Sequence, residues 1–320
     1  MVTALSLPRI VVVGSYATGL TMKVERLPSS GETLLGTGYR VDYGGKGSNQ
    51  AVGCARLGAH VTFVAKIGKD AFGEMALRLY RDEGIDVQWV GLASSTPTGV
   101  GFILVESNRG KNCIVLDPGA NELLTSGEVA RCDAAFESAA VVLTQLEISA
   151  EAAGEAMARG RAHGAVTILN PAPVRPLPAE TLPMVDILTP NETEAKVLAG
   201  LEPEADVEAA DVARELIRRG VKQVVMTLGE KGALIVSADS ALRVPAISVP
   251  SVDTTGAGDA FNAGLATALA KGASLDQAVQ FAVIAGGLAV TKEGVIPSLP
   301  CFDEVVAYAR GHGLALPIYD

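Results

Sequence analysis

The stretch Asp253 to Asp259, Asp-Thr-Thr-Gly-Ala-Gly-Asp, places two carboxylates around small residues. It precedes Phe261, Leu265 and Leu269, whose spacing is that of one helix face. The glycines therefore lie at a predicted helix N-terminus, where free N–H groups and the helix dipole favour an anion. A carboxylate there suits phosphoryl transfer, because it can take the proton from an attacking hydroxyl. Alternatively, Asp259 only complements the dipole and the glycines only turn the chain.

A second glycine-rich run covers residues 44–50, Gly-Gly-Lys-Gly-Ser-Asn-Gln, and precedes a helical pattern. It is not a Walker A motif, because Lys46 is followed by Gly47 and not by Ser or Thr. No Gly-x-Gly-x-x-Gly follows a strand either, which disfavours a dinucleotide-binding fold. The run can offer backbone donors, an ammonium group and the Asn49 amide to a hydroxylated ligand. The alternative is a plain glycine-rich connection.

Two further polar sites follow predicted buried strands. Asn191 and Glu194 are three residues apart, so they share a helix face and could hold a hydrated Mg²⁺ through oxygen ligands. The same pair is also a common helix cap. Glu147 ends another strand, where a carboxylate can accept hydrogen bonds from sugar hydroxyls.

These residues need a scaffold, and the pattern around them predicts an α/β fold. Short β-branched and aliphatic runs alternate with helical segments such as 71–83 and 212–219, which indicates a doubly wound, mostly parallel sheet with helices on both faces. The near-continuous hydrophobicity of the strands indicates burial on both sides. The predicted strands are 10–13, 61–67, 141–146, 166–169, 185–189 and 224–228.

A small antiparallel sheet is predicted beside this body. Apolar and polar residues alternate with period two in four segments, which is typical of a sheet with one solvated face. A sheet that projects from the strand ends could cover a site there. The segments are 20–25, 39–43, 99–105 and 112–116, with a hairpin turn at 107–110.

The composition excludes several classes of protein. Of 320 residues, 48% are hydrophobic and 19% charged, which supports a packed core, and the net charge of −10 argues against a nucleic-acid partner. The four cysteines, far apart, fit buried free thiols in a reducing cytoplasm. The first residues lack the basic region of a signal peptide, and the uncharged stretch 277–291 is too short to span a membrane. We therefore expect a soluble, cytoplasmic protein.

Taken together, these stretches resemble the ribokinase family of carbohydrate kinases, also called the phosphofructokinase-B family. The resemblance runs in order over nearly the whole chain, and residues 145–147 and 170–173 look most like the ribokinases within the family. It implies a single ribokinase-like domain over residues 1–320, with a lid formed by about 17–44 and 98–117. It also implies an ATP-dependent phosphotransferase with an alcohol acceptor, and a homodimer that pairs through the lid.

The resemblance implies a role for each motif residue. Asp259 would be the general base, beside an anion hole of Gly256, Ala257 and Gly258. The sugar would be bound by Gly45, Lys46, Asn49, Glu147 and Asp259. ATP would be bound by Asn191, Thr227, Gly229 and Gly258, with Mg²⁺ held through water by Glu194. The family's monovalent-cation site, for K⁺, would involve Asp253, Thr255, Ala289, Gly294 and Ser298.

One departure concerns the sugar. Where ribokinases carry an Asn and, two residues on, an Asp that bind the far hydroxyls, this chain has Ala17 and Gly19. We therefore expect a kinase for the primary hydroxyl of a small sugar or polyol for which ribose is a poor substrate, unless Asp42 restores the contact. The alternatives are a nucleoside kinase, which the low aromatic content of 4% disfavours, and a non-catalytic sugar or nucleotide sensor on the same fold.

Overall fold

The computed structural model describes residues 7–107 and 112–314. Its strands are β1 (Arg9–Val13), β2 (Ala17–Val24), β3 (Thr37–Gly44), β4 (His60–Gly68), β5 (Val90–Ala93), β6 (Gly99–Glu106), β7 (Asn112–Asp117), β8 (Val141–Gln145), β9 (Val166–Asn170), β10 (Ile187–Leu188), β11 (Gln223–Thr227), β12 (Ala233–Val236) and β13 (Ala241–Val244). Its helices are α1 (Lys46–Arg56), α2 (Ala71–Asp82), α3 (Ser126–Arg131), α4 (Ala150–Ala162), α5 (Glu192–Leu198), α6 (Ala209–Arg218), α7 (Ala257–Ala270), α8 (Leu275–Ala289), α9 (Val295–Ser298) and α10 (Phe302–Gly311). In these two ranges no helix is both long and apolar enough to cross a membrane.

The larger sheet has nine strands in the order β13-β12-β11-β10-β9-β8-β1-β4-β5. All neighbours pair in parallel except at one edge, where β12 is antiparallel to both β11 and β13. The predicted mostly parallel, doubly wound fold is confirmed. The strand predicted at 185–189 is shorter than expected, because a 3-10 turn ends immediately before Val185 and Pro190, which has no N–H, follows Thr189. Strands β5, β12 and β13 were not predicted.

Each face of this sheet has its own hydrophobic core, as β1 illustrates. Ile10 and Val12 pack into one core together with side chains of α1, α7 and α8, whereas Val11 and Val13 pack into the other with α4 and α6. Successive strand residues point to opposite faces, so an apolar run without polar interruptions is required. Helices therefore cover both faces, as the alternation of strand and helix patterns predicts.

The small sheet has the strand order β3-β2-β6-β7. The β2–β3 and β6–β7 pairs are antiparallel, as expected, whereas β2 and β6 pair in parallel and join the two halves. The prediction of one buried face is wrong for the edge strands, since all six residues of β7 and five of eight in β3 are exposed. Among the described helices, α9 contacts β3. Of the predicted turn at 107–110, only Ser107 lies within the described residues.

The small sheet is joined to the body at a narrow neck. There the side chain of Asn121 accepts a hydrogen bond from the Tyr16 N–H (2.9 Å) and donates one to the Tyr16 carbonyl (2.8 Å). Asp70 accepts from both the backbone N–H and the hydroxyl of Thr98 (2.8 and 2.7 Å). Tyr16 precedes β2, Thr98 precedes β6 and Asn121 follows β7, so three of the chain crossings between the sheets are fixed by side chains.

The cysteines are only partly as expected. Cys54 and Cys132 are buried, as predicted, but Cys113 and Cys301 are exposed. Cys113 lies on the uncovered strand β7, and Cys301 is the residue before the first turn of α10. The sequence does not distinguish the two pairs, because Cys113 and Cys301 each have an apolar residue directly after them, Ile114 and Phe302.

Candidate active site

Asp259 lies in the first turn of α7, with only 6% of its surface exposed. The side chain of Asn49 donates a hydrogen bond to its Oδ2 (2.8 Å), and that of Gln50 donates one to its Oδ1 (2.9 Å). Both donors come from the first turns of α1, more than 200 residues earlier in the chain. The fold thus brings the two glycine-rich stretches together around one carboxylate.

The turn that begins α7 is open for an anion. Gly256 has a φ of 83°, which favours glycine, and a Cβ there would lie 2.6 Å from Val295 Cγ1. A Cβ on Gly258 would meet nothing within 4 Å. Among the described residues no side chain caps this N-terminus. The Ala257 N–H donates to the Thr254 carbonyl (3.3 Å), and the N–H groups of Gly256 and Gly258 remain for a ligand.

The run 44–50 is not a loop, because α1 begins within it at Lys46 with Gly45 as the preceding cap residue. A Cβ on Gly47 would lie 2.4 Å from the backbone nitrogen of Ser15. Only glycine permits so close an approach between this helix and the connection from β1 to β2. The glycines therefore place Lys46 and Asn49 against the ends of the strands.

Glu147 follows β8 and is held from two sides. Its Oε2 accepts a hydrogen bond from the hydroxyl of Ser15 (2.6 Å) and another from the Lys46 backbone N–H (2.8 Å). The sequence analysis assigned no role to Ser15, although its place directly after β1 is a signal for a site residue. The other carboxylate oxygen, Oε1, is the one that remains to accept from a ligand.

Charge interactions couple these groups. Burial raises the pKa of the Asp259 carboxyl, and the nearby Lys46 and the two amide donors only partly oppose this shift. Burial lowers the pKa of Lys46, but the carboxylates of Asp259, Glu147 and Glu194 outweigh it, so its pKa is raised. Lys46 thus remains a cation at neutral pH, and Asp259 is a stronger base than an exposed aspartate.

Behind Asp259 lies a layer of buried amides, here called the amide layer: Asn49, Gln50, Gln145, Asn170 and Asn262. Gln145 Nε2 donates to Gln50 Oε1 (2.5 Å), and Gln50 Nε2 also donates to Asn170 Oδ1 (3.2 Å). Asn262 accepts from the Thr189 hydroxyl (2.6 Å) and donates to the Gly258 carbonyl (2.8 Å). The layer connects α1 and α7 to the carboxyl ends of β8 and β9. Sequence reasoning assigned no role to Gln50, Gln145 or Asn262.

Asn191 and Glu194 form a reciprocal helix cap at the start of α5. Asn191 Oδ1 accepts from the Glu194 N–H (2.8 Å), and Glu194 Oε2 accepts from the Asn191 N–H (2.9 Å). The two residues therefore form the helix cap that was the alternative interpretation of this pair. Burial raises the pKa of Glu194, with opposing contributions from the Asn191 backbone and from Lys46. Glu194 therefore lies close enough to Lys46 to interact with the site.

A cleft of about 620 Å³ opens beside the start of α7. Among its lining residues are Thr227, Gly229, Thr254, Gly258 and Phe261. Gly258 thus borders both this cleft and the region of Asp259. Of the residues predicted to bind a nucleotide, Asn191 is not part of this lining, although its backbone bridges to Thr227.

The residues predicted for a monovalent cation come from two adjacent loops. Asp253 accepts hydrogen bonds from the N–H groups of Thr255 (2.9 Å) and Gly294 (3.1 Å), which ties the two loops together. Ser298 is buried, and its hydroxyl donates to the Val295 carbonyl (2.8 Å). Ala289 ends α8, next to Val290, whose carbonyl accepts from the Asp253 N–H (3.2 Å).

The family model for pfkB carbohydrate kinases matches residues 7–301. The chain belongs to this family. It is 37% identical to a ribokinase from Haemophilus influenzae, with 93% of this chain and 97% of that protein covered. It is 33% identical to a deoxyribokinase from Salmonella typhi, over 93% and 98% of the two chains. Its fold matches a ribokinase from Arabidopsis thaliana, solved with ribose and ATP, with a TM-score of 0.86, 32% identity and coverage of 95% and 98%.

As a member of the pfkB family, the chain is an ATP-dependent kinase, a phosphotransferase with an alcohol group as acceptor. The family resemblance and the kinase class expected from the motifs are thereby confirmed. Both ribokinase and deoxyribokinase occur among the relatives at similar identity. Family membership therefore leaves the acceptor to be argued from the site.

The predicted far end of the candidate sugar site lies on strands β2 and β3. Gly19 and Asp42 are opposite each other in the β2–β3 pair, and a Cβ on Gly19 would lie 3.7 Å from the Asp42 Cβ. A side chain at position 19 would therefore share one face of the sheet with Asp42. Asp42 Oδ2 lies 3.3 Å from the Arg40 guanidinium, which also binds Glu293 (2.7 Å). The Asp42 carboxylate is thus already paired.

Proposed function

We propose that the chain transfers the γ-phosphate of ATP to a primary hydroxyl of a small sugar or polyol. The observation that carries this proposal is the buried Asp259 carboxylate beside the uncapped N-terminus of α7. Asp259 takes the proton of the hydroxyl as its oxygen attacks the γ-phosphorus, and the bond to the ADP oxygen breaks. The N–H groups from Gly256 to Gly258 stabilise the charge on the transferred group.

ATP would occupy the cleft beside α7. Thr227 and Gly229 line this cleft, and Gly258 at its border would place the γ-phosphate near Asp259. In the described residues, no three or more His, Cys, Asp or Glu side chains are placed so that together they could hold a metal ion. This agrees with a Mg²⁺ ion that keeps most of its water and binds the phosphates, since Mg²⁺ needs few protein ligands. Glu194, with Asn191, would hold such an ion through water and neutralise phosphate charge.

The acceptor would bind on the other side of Asp259. Asn49 Oδ1 is buried and has no hydrogen-bond partner in the part of the chain described, so a hydroxyl of the acceptor would supply one. Lys46 and the free oxygen of Glu147 would bind further hydroxyls, and the backbone at Gly45 would contact the ring. These contacts leave the hydroxyl to be phosphorylated next to Asp259.

A K⁺ ion would support the anion hole. Asp253 keeps its charge readily, because hydrogen bonds from Thr255 and Gly294 outweigh its burial and lower its pKa. One carboxylate amid the carbonyls of two loops suits a large monovalent cation. With Thr255, Ala289, Gly294 and Ser298 it would place positive charge near the first turn of α7.

The far end of the acceptor would not carry the hydroxyls of ribose. Ala17 and Gly19 offer no acceptor atoms, and Asp42 already pairs with Arg40. A preferred acceptor would therefore lack a hydroxyl at that end or carry a bulkier group that fills the space. A site without polar groups gives no preference for a hydroxyl, whereas one built to bind it discriminates strongly.

The small sheet, over residues 17–44 and 98–117 of a single kinase domain, would act as the lid and as a dimer interface. Leu20, Val41, Phe102 and Val115 are in register across all four strands. Three of them are exposed: Val41 by 40%, Phe102 by 54% and Val115 by 62%. This apolar row lies on the face opposite Gly19, so a second copy of the chain would cover it without blocking the site.

The test is an ADP-release screen with ATP and Mg²⁺ over pentoses, deoxypentoses, hexoses, polyols, sugar acids and nucleosides, with Asp259→Asn as the blank. We expect at least one sugar or polyol to release ADP well above this blank. If only nucleosides do so, the nucleoside-kinase alternative replaces the proposal. If no acceptor does so while ATP still binds, the chain is a sensor and not a kinase of small sugars.

A further inference from the structure

Gln50 is the one glutamine of the amide layer that touches Asp259. Its side chain is completely buried. Its Nε2 donates to Asp259 Oδ1 at 2.9 Å and to Asn170 Oδ1 at 3.2 Å, while its Oε1 accepts from Gln145 Nε2 at 2.5 Å. The Gln50 amide thus has a partner on both its nitrogen and its oxygen.

We propose that Gln50 is a positioning residue that sets the basicity and the orientation of Asp259 in the phosphoryl transfer. The proposal rests on the proposed function, in which Asp259 is the general base. It goes beyond that function because it assigns control of the pKa of the general base to a side chain that would touch neither the acceptor nor ATP.

The orientation of the Gln50 amide is fixed by its neighbours. An ionised carboxylate can only accept hydrogen bonds, so Gln50 must turn its nitrogen towards Asp259. The nitrogen of Gln145 faces the Gln50 oxygen, and Asn170 donates its own nitrogen to the Thr189 carbonyl (3.0 Å). Each donor in the sequence from Gln145 through Gln50 to Asp259 therefore points towards the carboxylate, and such chains of hydrogen bonds strengthen each other.

The two oxygens of Asp259 are held by different residues. Gln50 binds Oδ1 and Asn49 binds Oδ2, so the plane of the carboxylate cannot rotate freely. Asn49 also faces the acceptor, whereas Gln50 faces the ends of β8 and β9. Gln50 is therefore the partner that the acceptor does not disturb when it binds.

The charged and polar groups around Asp259 determine how the loss of Gln50 would change the pKa of its carboxyl group. Burial raises the pKa of Asp259, Lys46 and the hydrogen bonds from Gln50 and Asn49 lower it, and Glu147 raises it. Glu194 interacts with Lys46, which in turn interacts with Asp259. Gln50 stabilises the charged form, so its removal raises the pKa further. The base is active when deprotonated, so activity would then be lost at a higher pH as the pH falls.

The experiment compares Gln50→Met with Gln145→Met. Gln50→Met keeps the length of the side chain and removes the donor to Asp259. We expect the acid limb of kcat/KM to move up by about one to two pH units, the range for a hydrogen bond to a charged group. At a pH well above the shifted limb, its kcat should recover to within a few-fold of the unmodified enzyme. Gln145→Met disrupts the same layer one step further from Asp259 and leaves the Gln50 donor in place, so it should move the limb by much less than Gln50→Met does.

Gln50→Glu provides a second variant of nearly the same shape. It puts another carboxyl beside Asp259, so the two groups share a proton and one of their pKa values rises strongly. The acid limb should move at least as far as in Gln50→Met. If Gln50→Met does not fold, this variant still tests the proposal.

A readout without turnover separates this inference from the proposed function. In protein labelled with ¹³C at the aspartate Cγ, the Asp259 resonance is assigned by its absence in Asp259→Asn, and its titration should shift upward in both Gln50 variants. If no acceptor is phosphorylated, the proposed function fails and this titration still decides the role of Gln50. An unchanged titration midpoint, or a loss of activity that is equal at every pH, would show that Gln50 serves packing alone and would overturn the proposal.

Discussion

The two ends of the candidate acceptor site are built in opposite ways. Around Asp259 the side chains are buried and each carboxylate oxygen has a fixed donor, Asn49 for one and Gln50 for the other. At the far end, Ala17 and Gly19 leave space, and the nearby Asp42 and Arg40 are half-exposed on a thin sheet. Buried, satisfied polar groups resist change, whereas exposed positions tolerate it. We therefore expect separate regions to control the reaction and the choice of acceptor.

The largest effect should come from the buried end. Asp259→Asn keeps the size of the side chain and removes the base, and general-base catalysis contributes about 10²- to 10⁴-fold. We expect kcat to fall by at least about 10²-fold while the dissociation constant for ATP, measured by calorimetry, stays within a few-fold. Asp239→Asn, in an exposed turn, is the matched control and should be fully active. Near-normal turnover of the Asp259 variant would show that the buried end does not control the chemistry.

The next effect should come from the far end. The double variant Ala17→Asn with Gly19→Asp introduces the polar pair, and a Cβ on Gly19 meets nothing closer than 3.7 Å, so a side chain can start there without a clash. Two hydrogen bonds to a carboxylate contribute roughly 2 to 5 kcal/mol after allowing for water, so kcat/KM for ribose should rise by about 30-fold or more. The comparison is with the best acceptor from the screen.

The KM for ATP serves as the internal control, because neither substitution lies near the cleft. Efficient use of ribose by the unmodified enzyme would mean that Asp42 replaces the missing carboxylate. The buried end at Asp259 and the far end at Ala17 and Gly19 would still act separately. The far end would then still prefer ribose.

A smaller effect should come from the loops at Asp253. At fixed Mg²⁺ and ionic strength, K⁺ should raise kcat by about tenfold over tetramethylammonium, which is about 1.4 kcal/mol of transition-state stabilisation. Asp253→Asn should remove most of this difference. Equal rates in both buffers would take the cation out of the mechanism and would leave the amide groups of α7 as the source of stabilisation.

The smallest effect on stability should come from a substitution in the apolar row of the small sheet, formed by Leu20, Val41, Phe102 and Val115. Val115→Asp should convert a dimer to a monomer in sedimentation, with a change in the free energy of unfolding within about 0.5 kcal/mol, as at other exposed sites. Leu242→Asp replaces a similarly exposed apolar residue on β13 and should not alter the sedimentation. An unmodified enzyme that is monomeric at micromolar concentration would exclude this interface.

Sequence periodicity predicted the six inner strands of the larger sheet, because their hydrophobicity is nearly continuous, and missed β5, β12 and β13 at its edges. It also predicted the helix that follows Asp259. It could not identify Gln50, because the contact with Asp259 joins residues 209 positions apart and depends on the packing of α1 against α7. Periodicity also could not predict that Cys113 is exposed or that β2 pairs in parallel with β6. Both features depend on contacts between distant parts of the chain and not on neighbouring residues.

The neck formed by Tyr16, Thr98 and Asn121 has an evolutionary consequence. Hydrogen bonds between Asn121 and Tyr16, and from Thr98 to the Asp70 carboxylate, fix the chain where it enters and leaves the small sheet. A substitution in that sheet should therefore change local contacts and leave the strand ends of the body in place. Such a sheet can be altered as a module, much as the variable loops of an antibody are altered on a constant framework. New acceptor preferences can then arise by a few point mutations, without a period of lost activity.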